Sequence, residues 1–366
     1  MKFIHAADIH LGCQPDRGFP WSRERSFDIL AAFKALIVAC KKEKPDLLLL
    51  SGDLFHRQPT AAELKEASAL LSNIPEIPVV MIAGNHDCIR VGSALERFTW
   101  PDHVTLLSGN ELEEVSFPEL NTVVHGFSYH TREIREPLYD TLQAPADGRF
   151  HILLAHGGDE THIPMDLKKM AGSGFSYMAL GHIHKPWLNE AGRMAYPGSL
   201  CPVDLTETGN HGCIAGELTE NDGPGELHLK FLPLASRSYI PCRVKVTEKT
   251  TNQSLFKTVT NFMEQYGAAN IYKLTLTGKR DPDIVFDEAY LKTAGRIISF
   301  TDTTVPAYDI EALRMEHRHD LIGDYIDTFL PGAEESSLQD PVRRQAFFYG
   351  LDALLSNLDS DTGEPK

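Results

Sequence analysis

Apolar and polar positions alternate in short blocks along the first half of the chain. KFIHAAD (residues 2–8) has the make-up of a strand, and RSFDILAAFKALIVACKKEK (25–44) carries apolar residues at helical spacing and ends in lysines, which suit a helix C-terminus. PDLLLLSGD (45–53) is the unbroken apolar run of a strand buried on both faces. A second helical pattern, TAAELKEASALLSNI (60–74), leads into another buried run, PVVMIAGNHD (78–87). This βαβαβ order predicts a layered α/β architecture. Further strand patterns follow with fewer helices between them, HVTLLS (103–108), NTVVHGFSY (121–129), FHILLAHGG (150–158) and YMALGHIH (177–184), and they predict a second sheet packed on the first.

Near residue 235 the pattern changes. CRVKVTEK (242–249), a helix over SLFKTVTNFMEQYG (254–267) and NIYKLTLTGKR (270–280) form a small β-α-β unit, with a further helix over DEAYLKTAGRI (287–297). Beyond residue 310 the chain reads as helical and acidic, with an amphipathic segment PVRRQAFFYGLDALLSNL (341–358). The expected division is residues 1–235 as a two-sheet α/β unit flanked by helices, 236–310 as a small α+β unit and 311–366 as a helical region.

Charge changes this picture. The 366-residue chain is acidic, with a net charge of -16, which by itself argues against a phosphate-rich partner. Residues 1–235 hold 20 Lys+Arg against 31 Asp+Glu and residues 281–366 hold 7 against 18, but residues 236–280 hold 8 against 2. That basic island is either a phosphate-facing surface or an ordinary solvated face. The six cysteines lack C-x-x-C spacing, as expected of reduced thiols. No run approaches the roughly 20 apolar residues of a membrane span, and MKFIHAADIH lacks the features of a leader, so a cytoplasmic protein without membrane attachment is expected.

The chemistry sits where the strand patterns end. The runs finish in D-I-H (Asp8, His10), S-G-D (Asp53), G-N-H-D (Asn85, His86), H-G-G (His156) and G-H-I-H (His182, His184). Singly these could be turn residues or, for Asp53, a helix N-cap. Jointly they are oxygen and imidazole donors at strand ends, where α/β sheets gather their ligands. They suit two divalent ions roughly 3.5 to 4 Å apart, bridged by a carboxylate, for in-line displacement at phosphorus. Asp53 is the expected bridge. The mixture of His, Asp and Asn without cysteine favours manganese, iron or zinc in a catalytic rather than structural site. His86 directly follows Asn85 and so points away from the ion Asn85 faces; its expected role is to protonate the leaving oxygen or stabilise the pentavalent phosphorus. If the stretch 180–186 is extended, His182 and His184 share one face, opposite Ile183.

In this order the motifs D-x-H, G-D, G-N-H-D, H and G-H-x-H resemble the calcineurin-like metallophosphoesterase superfamily over about residues 1–215. The resemblance implies a two-layer β-sandwich flanked by helices. It implies Asp8, His10, Asp53 and His184 around one metal, and Asp53, Asn85, His156 and His182 around the other. Where many members continue G-D-x-x-D, this chain has G-D-L-F-H-R, with His56 in place of the last Asp, a departure that resembles SbcD-type DNA repair nucleases. His56 is then expected to position phosphate or assist rotation of the substrate, with a buried structural histidine as the alternative. YPGSLCPVDLTETGNHGC (196–213) is similar to the segment that closes the catalytic fold of those nucleases. LTLTGKRDPD (274–283) and FFYGLDALL (347–355) look like the bacterial branch described as YhaO-like.

The resemblance further implies two manganese ions, a DNA-capping role for 236–310, 3′-to-5′ exonuclease and single-strand endonuclease activity in double-strand-break repair, a homodimer, and an SMC-like coiled-coil ATPase partner. The segment 341–358 would dock that ATPase, or else pack into the core. The rival functions are a phosphodiesterase for small nucleotides or lipids, which the acidic first unit favours, and a low-activity assembly subunit, against which the intact donor set argues.

Overall fold

The computed structural model describes residues 1–219, 225–330, 338 and 340–361. The chain divides after Tyr239 into two compact units. The first begins with β1 (Lys2–Ala6), α1 (Ser22–Glu43), β2 (Leu47–Ser51), α2 (Ala61–Leu71), β3 (Val79–Ile82) and β4 (Val104–Leu106). Then come β5 (Glu113–Phe117), β6 (Thr122–Gly126), β7 (Phe150–His156), α3 (Leu167–Ala171), β8 (Tyr177–Gly181), β9 (Trp187–Asn189), β10 (Met194–Tyr196), β11 (Gly212–Thr219) and β12 (Glu226–Pro233). They build two six-stranded mixed sheets, ordered β12-β11-β1-β2-β3-β4 and β5-β6-β7-β8-β10-β9. In the first, β1 to β4 are parallel; in the second, β6, β7, β8 and β10 are.

The leucine run of β2 shows how the layers are made. Leu47 and Leu49 face the second sheet, packing with Phe3, Val80, Val124, Ile152 and Leu154. Leu48 and Leu50 face the other way, under Phe33 and Leu36 of α1 and Leu64 and Leu71 of α2. At about 1.5–3 kcal/mol per fully buried leucine the run commits β2 to the centre of the sandwich. Four leucines in a row cannot choose a register, however, because a slip of one residue still presents leucine to both faces. Polar pairings at the two ends do so: Asp46 accepts from the backbone N–H of Lys2 at 2.7 Å, and Gly52 O accepts from Asp8 N at 3.2 Å. α2 starts on a capping box in which Thr60 and Glu63 satisfy each other's backbone N–H groups.

The second unit carries β13 (Tyr239–Val246), which begins at the last residue of the first, then α4 (Asn252–Tyr266), β14 (Ile271–Arg280), α5 (Glu288–Lys292), β15 (Ile297–Asp302) and β16 (Val305–Pro306). Three helices follow: α6 (Ile310–Glu316), α7 (Leu321–Phe329) and α8 (Pro341–Asp361). Leu255, Val259 and Met263 of α4 pack on Tyr272, Leu274 and Leu276 of β14. The helices form a separate cluster in which Phe347, Phe348 and Leu351 of α8 lie against Ile322 and Ile326 of α7. The apolar stripe formed by Phe347, Phe348 and Leu351 is therefore part of this unit's own core, and Val342 and Tyr349 are large apolar residues of α8 that are exposed. All six cysteines are buried and unpaired. Among the described residues no helix is long and apolar enough to cross a membrane.

Candidate metal centre

The carboxyl ends of β1, β2 and β3 in one sheet and of β7 and β8 in the other open at the same edge of the sandwich. There the chain leaves regular strand geometry abruptly: Asp8 (φ 51), His10 (φ 54), Asp53 (φ 51) and His182 (φ 90) all have left-handed backbones. Such conformations are uncommon outside glycine and gather at functional sites. Here they turn each side chain inward. Asp8 is clamped by the His182 N–H, 3.1 and 3.0 Å from its two oxygens. Asp53 Oδ1 accepts from His86 N at 2.9 Å, and Asp87 accepts from Gly84 N (2.8 Å) and Phe55 N (3.0 Å), tying the second and third strand ends together.

Six of the expected donors converge. Ligand-type atoms of Asp8, His10 and His184 lie within 4.8 Å of one another, and so do those of Asp8, Asp53 and His156. Asp53 Oδ2 stands between the two groups, 3.9 Å from His10 Nε2 and 3.5 Å from His156 Nε2. Asn85 Oδ1 is 3.0 Å from His156 Nε2. His156 is oriented by donating Nδ1–H to Ser51 O at 2.8 Å, which leaves Nε2 facing the centre. His10 Nε2 and His184 Nε2 are 2.9 Å apart, and the buried His10 Nδ1 has no partner. Convergent imidazole nitrogens, two buried carboxylates and an amide oxygen, with no thiol among them, fit divalent cations.

A description of the calcineurin-like phosphoesterase family matches residues 1–186. The chain belongs to that family. Its enzymes are phosphoesterases that depend on two metal ions, and the two groups sharing Asp8 offer the places for them. The metallophosphoesterase YhaO of Bacillus subtilis is 30% identical over 71% of this chain and 66% of its own length. The DNA double-strand break repair protein Mre11 of Methanocaldococcus jannaschii is 34% identical over 54% of this chain and 56% of its own. The chain thus spans between about half and two thirds of these relatives. Among solved structures, TT1561 of Thermus thermophilus is similar over 63% of this chain and 98% of that one, at 11% identity and a TM-score of 0.39.

The electrostatics of this phosphoesterase centre separate its two carboxylates. Burial raises Asp53, but His156 by charge and hydrogen bond, then His10 and His86, outweigh it and hold the carboxyl well below the usual range. Burial dominates at Asp8 and lifts it to about 6 against the pull of His184 and His156. Burial would lower His156, yet Asp53 and then Asp8 raise it to about 9; at His184 the Glu207 hydrogen bond and Asp8 overcome burial to the same value. Burial drives His10 well below its ordinary value. Protons on His156 and His184 thus occupy positions that cations would take, so metal capture must release them.

His56 and His86 stand together on the rim, half-buried and stacked at 5.0 Å, with the His86 ring 4.9 Å from that of His10. His86 donates Nδ1–H to His56 O at 2.8 Å, leaving Nε2 free of that bond. The structure corrects one expectation. β8 ends at Gly181, and the left-handed turn at His182 prevents the two histidines from sharing a face. His184 joins Asp8 and His10, while His182 lies beside the His156 ring at 5.3 Å and places Nε2 2.8 Å from Asp159 Oδ2. Three carboxylates had no role assigned from sequence: Asp87, Asp159, and Glu207, which is 2.7 Å from His184 Nδ1. Asp87 ends the G-N-H-D motif and Glu207 lies in the 196–213 segment, which are signals that could have pointed to them; Asp159 has none.

Proposed function

We propose that the chain is a manganese-dependent DNA nuclease. Asp8, His10, Asp53 and His184 would hold one ion and Asp53, Asn85, His156 and His182 the other, with Asp53 contributing to both. The observation that carries this reading is the likeness, at 34% identity, to a protein named for DNA double-strand break repair, in a chain whose strand-end donors converge with His56 and His86 at the rim. Such an ion pair supplies Lewis acidity for in-line displacement at phosphorus. The protein's own groups do the rest. His86 gives a proton from Nε2 to the leaving oxygen as the P–O bond breaks, the attacking water loses one to solvent as it adds to phosphorus, and His86 Nδ1–H stays on His56 O. His56 steadies the phosphate beside it. Asp87 keeps the two loops that carry Asp53 and Asn85 in fixed relation.

The wider reading is a repair enzyme of the cytoplasm that digests 3′-to-5′, works as a homodimer and meets an SMC-like coiled-coil ATPase, with residues 236–310 capping the DNA. Since the stripe of α8 is covered, an ATPase would meet the side bearing Val342 and Tyr349. The second reading, a phosphodiesterase for small nucleotides or lipids, draws on the excess of acidic over basic residues, 31 against 20, in residues 1–235. Manganese-dependent nucleotide release from an end-labelled linear duplex, run beside a small phosphodiester with an Asp8→Ala His86→Gln control, decides between them. Duplex digestion that the control abolishes supports the nuclease and gives its polarity; cleavage of the small diester alone moves the function to the second reading.

A further inference from the structure

The two histidines of G-H-I-H are each held by a carboxylate, but through opposite ring nitrogens. Glu207 Oε1 lies 2.7 Å from His184 Nδ1, and Glu207 is itself fixed by Ser199 Oγ at 2.7 Å and Val203 N at 3.1 Å. An ionised carboxylate only accepts, so the proton sits on Nδ1 and His184 offers Nε2, the nitrogen that lies near His10 and Asp8. At His182 the arrangement is reversed. Asp159 Oδ2 takes Nε2–H at 2.8 Å, which leaves Nδ1 as the lone pair.

Asp159 is built to hold that position. Its Oδ1 accepts from Thr161 N (2.8 Å), His162 N (2.9 Å) and Thr161 Oγ (3.0 Å), closing a turn directly after the H-G-G that ends β7. His162 Nδ1 lies 2.9 Å from both oxygens, and the His162 and His182 rings are 4.5 Å apart. The carboxylate is thus oriented by its own loop, with Oδ2 the oxygen presented to His182.

We infer that Asp159 is a positioning residue that fixes the tautomer of His182, holding the proton on Nε2 and leaving Nδ1 as the nitrogen able to bind an ion. The inference rests on the reading of His182 as a ligand. It goes further by naming a residue outside every motif. A ligating histidine whose other nitrogen donates to a carboxylate is held in one tautomer, and loss of such a partner costs roughly 10- to 100-fold in metal affinity.

The two obvious substitutions separate positioning from folding. In Asp159→Asn the amide oxygen must stay in the Oδ1 position, because the turn's two N–H groups require an acceptor. Its NH2 then faces His182 Nε2 and demands a lone pair there, which drives the proton to Nδ1. Asp159→Ala merely removes the partner. The asparagine, although it preserves the turn better, should therefore be the more damaging change for the second ion.

Manganese binding is measured on the full chain by equilibrium dialysis, with the exchange-coupled pair followed by electron paramagnetic resonance, and the His182 tautomer is read in the metal-free protein from long-range 1H–15N spectra. Expected are one unchanged ion, a second ion weakened roughly 10-fold in Asp159→Ala and about 100-fold in Asp159→Asn, and a proton moved from Nε2 to Nδ1 in the latter. If the asparagine variant binds the second ion as well as the alanine variant or better, or if both ions weaken equally with a lower metal-free melting temperature, the positioning role is wrong. His182→Ala separates the layers of the argument. Loss of an ion there, with none in the Asp159 variants, overturns this inference alone, whereas full retention overturns the ligand assignment beneath it.

Discussion

Replacing Gly84 by alanine would put a methyl group into the middle of the centre. A Cβ built on Gly84 falls 2.3 Å from Asp53 Oδ1, 2.8 Å from Asp53 Cγ and 2.7 Å from His156 Nε2, where ordinary contact begins at 3.4 Å. Neither neighbour can swing aside, since Asp53 is 1% and His156 0% exposed, and Asp53 Oδ1 is also bonded to His86 N. The carboxylate must move by about 1 Å. Overpacking of this kind costs about 1–3 kcal/mol, which for a unit of this size lowers the metal-free melting temperature by roughly 2 to 12 °C. Function should suffer more, because a misplacement of about 1 Å among reacting groups costs on the order of 100-fold. The variant is measured by melting in chelator, manganese titration and turnover, beside Gly172→Ala, whose Cβ would meet only Lys169 O at 3.4 Å and which should stay within about 0.5 kcal/mol of wild type. A Gly84→Ala protein that binds two ions with native affinity and turns over normally would refute the packing argument.

Three further outcomes follow from contacts and charges. His156 and His184 have folded pKa values of about 9 against an ordinary 6.5, so their contribution to the metal-free fold is complete below pH 6.5 and lost as pH rises through about 9. Melting temperature in chelator should fall across that window while manganese affinity rises; an affinity that stays flat would contradict it. His86→Gln should retain both ions, because the His86 ring is held by the backbone oxygen of His56 and not by a central carboxylate, yet lose about 100- to 10,000-fold in turnover; near-normal turnover removes the acid role. Arg25 is fully buried between Asp28 Oδ2 (2.7 Å) and Asp16 Oδ2 (3.2 Å), with Pro202 O at 2.5 Å. Arg25→Ala removes one cation from carboxylates that keep other partners, Asp28 through Arg237 Nε at 2.9 Å and Asp16 through Trp21 Nε1 at 3.0 Å, and should cost about 1.5–3 kcal/mol in urea unfolding.

What could be read in advance depended on whether the information was local. The parallel strands were legible because runs such as Leu47–Leu50 must be buried on both faces. The convergence of Asp, Asn and His side chains was legible because they follow the ends of such runs. The pairing of β11 with β1 was not, since the partners Lys2 and Glu217 are joined by tertiary packing across most of the unit. The H-x-H geometry was misjudged because alternation of side chains holds only while the strand lasts, and this one stops at Gly181. Asp159 carries no sequence signal of its own and Glu207 only its place in the 196–213 segment: acids in loops are common, and each meets its histidine only after the chain has folded back 23 residues along the sequence.

The donors are divided between the two sheets, with Asp8, His10, Asp53 and Asn85 after strands of the first and His156, His182 and His184 after strands of the second. Neither half of the sandwich alone can offer a complete set, and during synthesis the last donors emerge only once β8 has been made. On the proposed assignment, ions would meet the full set only in a sandwich already closed. A truncated product ending before β7 should leave the ribosome with a hydrophobic sheet face and only Asp8, His10, Asp53 and Asn85 of the proposed set.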